Sequence, residues 1–215
     1  MMGSQCCSEK KFEGVSDRYK RILWVVIGLN AAMFGVEMTA GLFAQSQALQ
    51  ADALDFLADS VTYALSLWVI GKSVSLRTLV AMLKGISLSM MGAWVLFSTL
   101  YQMTGTHSPE PVTMSGVAVA ALMVNVLSVI LLISYKDGDA NVRSVWLCSR
   151  NDAIGNVAVI LAASGVWATQ SGWPDLIVAM LMAGLFLSSS LQIIRQALAE
   201  RREALTTNCK ETKQV

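Results

Sequence analysis

Apolar residues gather into six long runs separated by short polar breaks. The runs fall at about residues 22–43, 46–70, 79–103, 112–134, 145–168 and 174–194. A bilayer core takes roughly 20 residues of helix to cross, and each run is of that order. The pattern predicts an all-α polytopic membrane protein, a bundle of six transmembrane helices. The break between the first two runs is very short.

Composition agrees with this picture. The chain has 215 residues, 54% of them hydrophobic and only 14% charged, whereas a soluble domain carries about 25% charge. Its mean hydropathy is +0.54. The runs divide the chain into a polar tail (residues 1–20), a six-helix transmembrane body (21–198) and a second short tail (199–215). Neither tail nor any loop reaches the roughly 50 residues of a small domain, so no separate extramembrane domain is expected. The first twenty residues are polar, and no cleavable signal peptide is expected there.

Basic residues set the orientation. Lys10, Lys11, Arg18, Lys20 and Arg21 precede the first run. Lys72 and Arg77 follow the second, and Lys136 and Arg143 follow the fourth. Arg195, Arg201, Arg202, Lys210 and Lys213 follow or end the sixth. The breaks around Gln45, His107 and Gly172 hold no Lys or Arg. With six spans every basic loop falls on one side, so both termini are expected in the cytoplasm. The expected location is a bacterial inner membrane. A net charge of +1 without a basic stripe gives no sign of nucleic-acid binding, and no nucleic-acid partner is expected. The expected partners are the lipid bilayer and small ions.

The few charges inside the runs carry the chemistry. The second run contains Asp52, Asp55 and Asp59, and the fifth contains Cys148, Arg150, Asn151, Asp152 and Asn156. A charge at the bilayer centre costs roughly 2.5–3.5 kcal/mol. Asp55, Asp59 and Asp152 would together cost on the order of 8–10 kcal/mol if charged and unpaired, comparable with a whole protein's stability. They must be protonated, hydrated or paired with a cation. Asp55 and Asp59 lie four apart on one helix face, and Cys148 and Asp152 share that spacing. Two such pairs can build a four-ligand site of carboxylates and a thiolate, which suits Zn²⁺ and related divalent ions. Mg²⁺, which wants six hard oxygens, fits less well.

Blander readings stand beside this one. Lys84 and Arg150 are potential ion-pair partners, but two cations cannot neutralise four acids, and both can snorkel toward the cytoplasmic side. Cys148 is as readily a small buried residue as a ligand. Asp52 can relay protons or sit in a structural role. Asn30, Glu37 and Asn125 can line a pathway or pack between helices. Asn151 and Asn156 can assist the site or act as interhelical glue. Asp175, after Pro174, reads as a feature of the sixth helix's N-terminus. His107 reads as a solvated loop residue. Gly85, Ser89 and Ala93 form a small-residue row that permits close packing, in a homodimer or within one chain. Cys6 and Cys7, with Cys209, form no disulfide framework but could capture metal at the cytoplasmic side. No resident cofactor is expected.

At these residues the sequence resembles the cation diffusion facilitator family of divalent-metal/proton antiporters. The resemblance rests on Asn30, Glu37 and Gly41 in the first run, on residues 46–59 in the second, and on Cys148, Asp152 and Asn156 in the fifth. The family places a His/Asp-x-x-x-Asp pair in its second helix and another in its fifth. Asp55 and Asp59 match the first pair and Asp152 the last ligand. Cys148 stands where the family has His or Asp. The resemblance covers about residues 20–198. It implies export of a divalent transition metal in exchange for protons, with Zn²⁺ the first expectation, then Cd²⁺, Co²⁺, Fe²⁺ and Mn²⁺. The family's usual cytoplasmic metal-binding domain after the sixth helix has no room in the remaining residues.

That implication has an independent physical basis. Carboxyls clustered in low dielectric favour the protonated form, and a divalent ion displaces protons on binding. Two other classes of function remain. An intramembrane enzyme would use an aspartate motif, but Phe56 follows Asp55 where alcohol phosphotransferases need Gly, and the Gly-x-Gly-Asp signature of intramembrane aspartyl proteases is absent. A passive metal channel or sensor would show no dependence on a pH gradient.

Overall fold

The computed structural model describes residues 16–68, 74–105, 108–136 and 140–211, and the side chains of most of them. Cys6, Cys7, Lys72 and His107 lie outside the described residues, as does the side chain of Cys209. Six long helices run in sequence: α1 (Asp17–Phe43), α2 (Gln47–Trp68), α3 (Val74–Gln102), α4 (Pro111–Leu132), α5 (Ala140–Thr169) and α6 (Trp173–Glu211). A 3₁₀ turn, Ile133–Tyr135, extends α4. There is no strand among the described residues. Five of the helices are long and apolar enough to cross a membrane. The helix outside that group is α2, which carries Asp52, Asp55 and Asp59 within its 22 residues. The protein is an all-α polytopic membrane protein.

Several helices outrun their apolar cores. α1 starts at Asp17 rather than residue 22, because Ser16 caps it by accepting from Tyr19 N, satisfying one of the orphan N–H groups of the first turn. α3 and α5 also begin about five residues early, and α6 continues to Glu211. Hydropathy marks only the part of a helix that sits in lipid, so polar turns beyond it go unseen.

The break between α1 and α2 is a tight reversal. Gln45 adopts a left-handed φ of 53°, and Ser46 N donates to Gly41 O at 3.0 Å, the six-to-one bond of a helix that ends in a left-handed residue. A Cβ on Gly41 would lie 2.9 Å from Gln50 Cγ and 3.1 Å from its backbone N. Glycine is therefore required where the two helices meet.

Helices pack chiefly in sequence-distant or hairpin pairs: α3 on α6, α1 on α2 and α4 on α5. The α3–α6 contact uses Gly85 and Ser89 of the small-residue row, and Gly92 beside them, within one chain. A Cβ on Gly85 would meet Ile194, one on Gly92 would meet Leu187 and Phe186, and Ser89 bonds Ser190. A homodimer would have to use another face. The central apolar core joins Ala48, Leu49 and Ala51 of α2 to Leu88 and Val95 of α3 and Ala179, Met182, Ala183 and Phe186 of α6. A second cluster, of Tyr19, Leu23, Val26, Tyr63, Leu132 and Val145, fills the opposite end near the chain's start. Large apolar side chains such as Trp24, Phe43, Trp94, Phe97 and Trp167 point outward. On a soluble protein such a surface would aggregate; around a bundle of spans it meets lipid.

Candidate metal centre

The middle of α2 turns its acidic face toward α1, α4 and α5. A narrow cavity there is lined by Asn30 of α1, Asp52, Asp55 and Phe56 of α2, Asn125 of α4 and Asp152 of α5. Two neighbouring groups of polar side chains meet at it.

In the first group, Asp152 lies within hydrogen-bonding reach of both Asp55 and Asp59. Three carboxyls from two helices are thus brought together. Asp59 and the half-buried Asp55 and Asp152 have little water around them. Carboxyls in contact cannot all be ionised without a shared proton or a cation between them. Tyr63, fully buried, donates its hydroxyl to Asp59 Oδ2. It also lies 3.4 Å from Val145 O and from Ser149 Oγ of α5. Cys148 is half-buried within electrostatic range of Asp55 and Asp59. Among the described residues, no three His, Cys, Asp or Glu side chains yet close on one point as a ready ligand shell. The expected ligands are gathered as a carboxyl cluster with a thiol beside it, not as a finished tetrahedron.

In the second group, Asn156 Nδ2 donates to Asp52 Oδ2 at 2.6 Å, and Asn125 Nδ2 donates to Asn156 Oδ1 at 3.0 Å. Glu37 of α1, with 0% exposure, faces Asp52. Neither Glu37 oxygen finds a donor N–H or O–H. Asn30 borders the same cavity and anchors its Nδ2 on Val26 O at 2.8 Å.

Other polar residues sit elsewhere than the sequence suggests. Asn151 is exposed and accepts from Arg150 Nη2 at 3.2 Å, away from the cavity that Asn30, Asn125 and Asp52 line. It follows Arg150 around the helix to the outer face. Arg150 itself lies over the Trp146 ring, 5.5 Å from its centroid. Lys84 is half-buried, and its ammonium acts on Cys148 and Asp59. It is therefore part of the site's field, not a charge that merely snorkels away. Asp175 lies in the first turn of α6, but its carboxylate is used by α2. It accepts from Ser46 Oγ at 2.6 Å, Gln47 N at 2.8 Å and Ala48 N at 3.1 Å.

Sequence reasoning missed Tyr63 and the true role of Asp175. For Tyr63 a signal existed: it stands four residues after Asp59, on the same helix face. For Asp175 none did, because its partners are about 128 residues away.

The fold is that of a polytopic membrane protein whose second helix buries an acidic face in the bundle. The family model for the cation efflux transmembrane domain matches residues 23–200, and the chain belongs to that family. It is 28% identical to the zinc transporter ZitB of Escherichia coli over 202 residues, covering 87% of this chain and 64% of that protein. It is 24% identical to the metal cation efflux system protein CzcD of Cupriavidus metallidurans over 200 residues, covering 84% and 63%. It is 22% identical to a cadmium, cobalt and zinc/H⁺-K⁺ antiporter of Bacillus subtilis over 193 residues, covering 83% and 62%. The chain thus spans a little under two thirds of the length of these relatives.

Proposed function

We propose that this protein exports a divalent transition-metal ion, Zn²⁺ first among them, in exchange for protons, by alternating access around Asp55, Asp59, Cys148 and Asp152. The observation that carries the reading is the meeting of Asp152 with both Asp55 and Asp59. Carboxyls gathered between helices can exchange protons for a divalent ion, since metal binding needs deprotonated ligands and releases protons. Family membership and relatives named for zinc, cadmium and cobalt support the cargo class, and both speak for a transporter over an intramembrane enzyme. Asp52, Asn30, Glu37, Asn125 and Asn156 line the route beside the ligands. Asn151, exposed beside Arg150, would join it only in another conformation of α5.

Orientation follows from charge. Arg18, Lys20 and Arg21 at the start of α1, Lys136 after α4 and Arg195 late in α6 fall at one end of an up-and-down bundle. The positive-inside rule puts that end, and both termini, in the cytoplasm of a bacterial inner membrane. Residues 21–198 form the transport body, with the tails to either side. Cys6 and Cys7 would present thiols to cytoplasmic metal.

The test is metal uptake into proteoliposomes with and without a pH gradient. Wild-type protein should transport Zn²⁺ faster when protons run against the metal. Asp59→Ala or Asp152→Ala should abolish the gradient-driven part. Wild-type rates in either variant would sink the proposal, and gradient-independent flux would reveal a passive channel.

A further inference from the structure

The bonds of Asp175 bear on how α2 moves. α2 carries every acidic residue of the candidate centre except Asp152 and Glu37. Its first turn needs partners for its orphan N–H groups. Ser46 supplies one locally, accepting from Leu49 N at 3.0 Å. Asp175 supplies two more from α6, at Gln47 N and Ala48 N, and takes the Ser46 hydroxyl as well. Asp175 and Ser46 are 0% exposed. A carboxylate at a helix N-terminus, on two backbone N–H groups and a hydroxyl, is a charge-assisted contact. Buried, it is costly to break, because the charge would be left without compensation.

Below this contact the α2–α6 interface changes character. It becomes wholly apolar, Leu49 and Ala51 of α2 packing in one cluster with Ala179, Met182, Ala183 and Phe186 of α6. Such a face has no directional bonds to hold a fixed angle. α6 is meanwhile locked to α3 by Gly85, Gly92 and the Ser89–Ser190 bond. A second polar tie at the same end joins α3 to α2, Ser98 Oγ donating to Gln47 Oε1 at 2.7 Å. Among the described residues, both left-handed residues other than glycine, Gln45 and Gln170, sit in turns at this end.

We infer that Asp175 is a positioning residue, the fixed pivot on which α2 rocks against the α3–α6 pair during transport. The inference rests on the alternating-access reading. One end of α2 is held by buried directional bonds, while further along it meets α6 through apolar contacts that carry no directional bond. Rocking about that end moves the carboxyl cluster relative to α3 and α6 without unfastening the bundle. A contact that had to open in each cycle would instead be exposed or weakly bonded.

The test uses the full chain in proteoliposomes with Zn²⁺. Asp175→Asn keeps the shape and removes the charge. It should cut turnover at least tenfold while leaving Zn²⁺ dissociation constants, measured by equilibrium binding, within threefold of wild type. Unchanged turnover would overturn the pivot. A parallel loss of binding and turnover would mark the residue as structural only, and would also overturn it. Should Asp175→Asn fail to fold, Ser46→Ala, which removes one partner, is read by the same criteria. The second arm replaces the tie covalently. Ser46→Cys with Asp175→Cys, in a background where Cys6, Cys7 and Cys209 are serine and Cys148 is kept, is compared reduced and oxidised. A pivot predicts that oxidation restores turnover over the reduced form. If the bridge forms and transport stops, the contact is a gate that must open, and the pivot is wrong. If no bridge forms, the first arm decides. Failure of the export reading itself is distinguishable, since wild-type protein would then show no gradient-driven transport to compare.

Discussion

Asn156 on α5 donates to Asp52 on α2 at 2.6 Å, and the carboxylate thereby sets the direction of a chain. Asp52 Oδ2 accepts this bond, so Asn156 presents Nδ2 to it and Oδ1 to Asn125. Asn125 then donates, and its own Oδ1 is left buried without a donor. One acidic residue thus orients two amides across three helices.

Asn156→Ala should strip the donor from Asp52 and from Asn125 its acceptor. Leaving a buried carboxyl unpaired costs about 1–3 kcal/mol. Thermal unfolding in detergent should show a loss of that size. The double variant Asn156→Ala/Asp52→Ala should be less destabilised than the sum of the singles, since each removes the other's partner. Additive losses would show that the bond contributes nothing of its own.

The carboxyl cluster makes an opposed pair of predictions. Without a cation, Asp55, Asp59 and Asp152 cannot all be ionised side by side, so replacing one carboxyl by an amide relieves the metal-free state. Asp152→Asn should melt at or above the wild-type temperature without metal. Wild-type protein at 100 times its Kd in Zn²⁺ should gain about 2.7 kcal/mol, and Asp152→Asn should gain far less. A differential melting scan with and without Zn²⁺ reads both. Equal metal-induced shifts in the two proteins would remove Asp152 from the ligand set.

Glu110 offers a pH signature away from the membrane interior. It caps α4, accepting from Thr113 N at 2.6 Å and Val112 N at 3.0 Å. Hydrogen bonds from Thr113, then Val112, hold its carboxyl below the usual value of 4.5. A lowered folded-state value means stability that is present above 4.5 and fades as the pH falls through the lowered value. The group is exposed, so screening keeps the effect to at most about 1 kcal/mol. Glu110→Ala should lower the melting temperature slightly at pH 7, and the gap to wild type should close below pH ~4. A gap unchanged at low pH would mean that the carboxylate form is not the capping species.

Much of this was legible in the chain. The six apolar runs became six helices, and the i, i+4 spacing of Asp55 and Asp59 did put both on the face that meets Asp152. Family membership could be read from the same stretch, because helix periodicity and intramembrane charge are local signals. What escaped was non-local. No spacing announces that Asp175 caps a helix some 128 residues earlier, or that Lys84 on α3 faces Cys148 and Asp59. Asn151 failed for a geometric reason: one residue is a turn of about 100°, enough to carry it from the side of Asp152 to the exposed side.

Cys148 should decide which metal is favoured. It stands one turn before Asp152, half-buried beside Asp55, Asp59 and Lys84. A thiolate is a softer donor than a carboxylate and prefers softer ions. Exchange of this one atom should therefore alter selectivity more than overall competence. Cys148→Ser should weaken Cd²⁺ transport by at least tenfold relative to Zn²⁺, since the hydroxyl is a poor ligand for a soft ion. Cys148→His should keep Zn²⁺ transport within a few fold of wild type, imidazole being a good Zn²⁺ ligand. Competition of Cd²⁺, Co²⁺ and Zn²⁺ for uptake into the same proteoliposomes gives the ratios directly. If both variants leave the Cd²⁺/Zn²⁺ ratio unchanged, Cys148 is a packing residue, and the metal is held by Asp55, Asp59 and Asp152 alone.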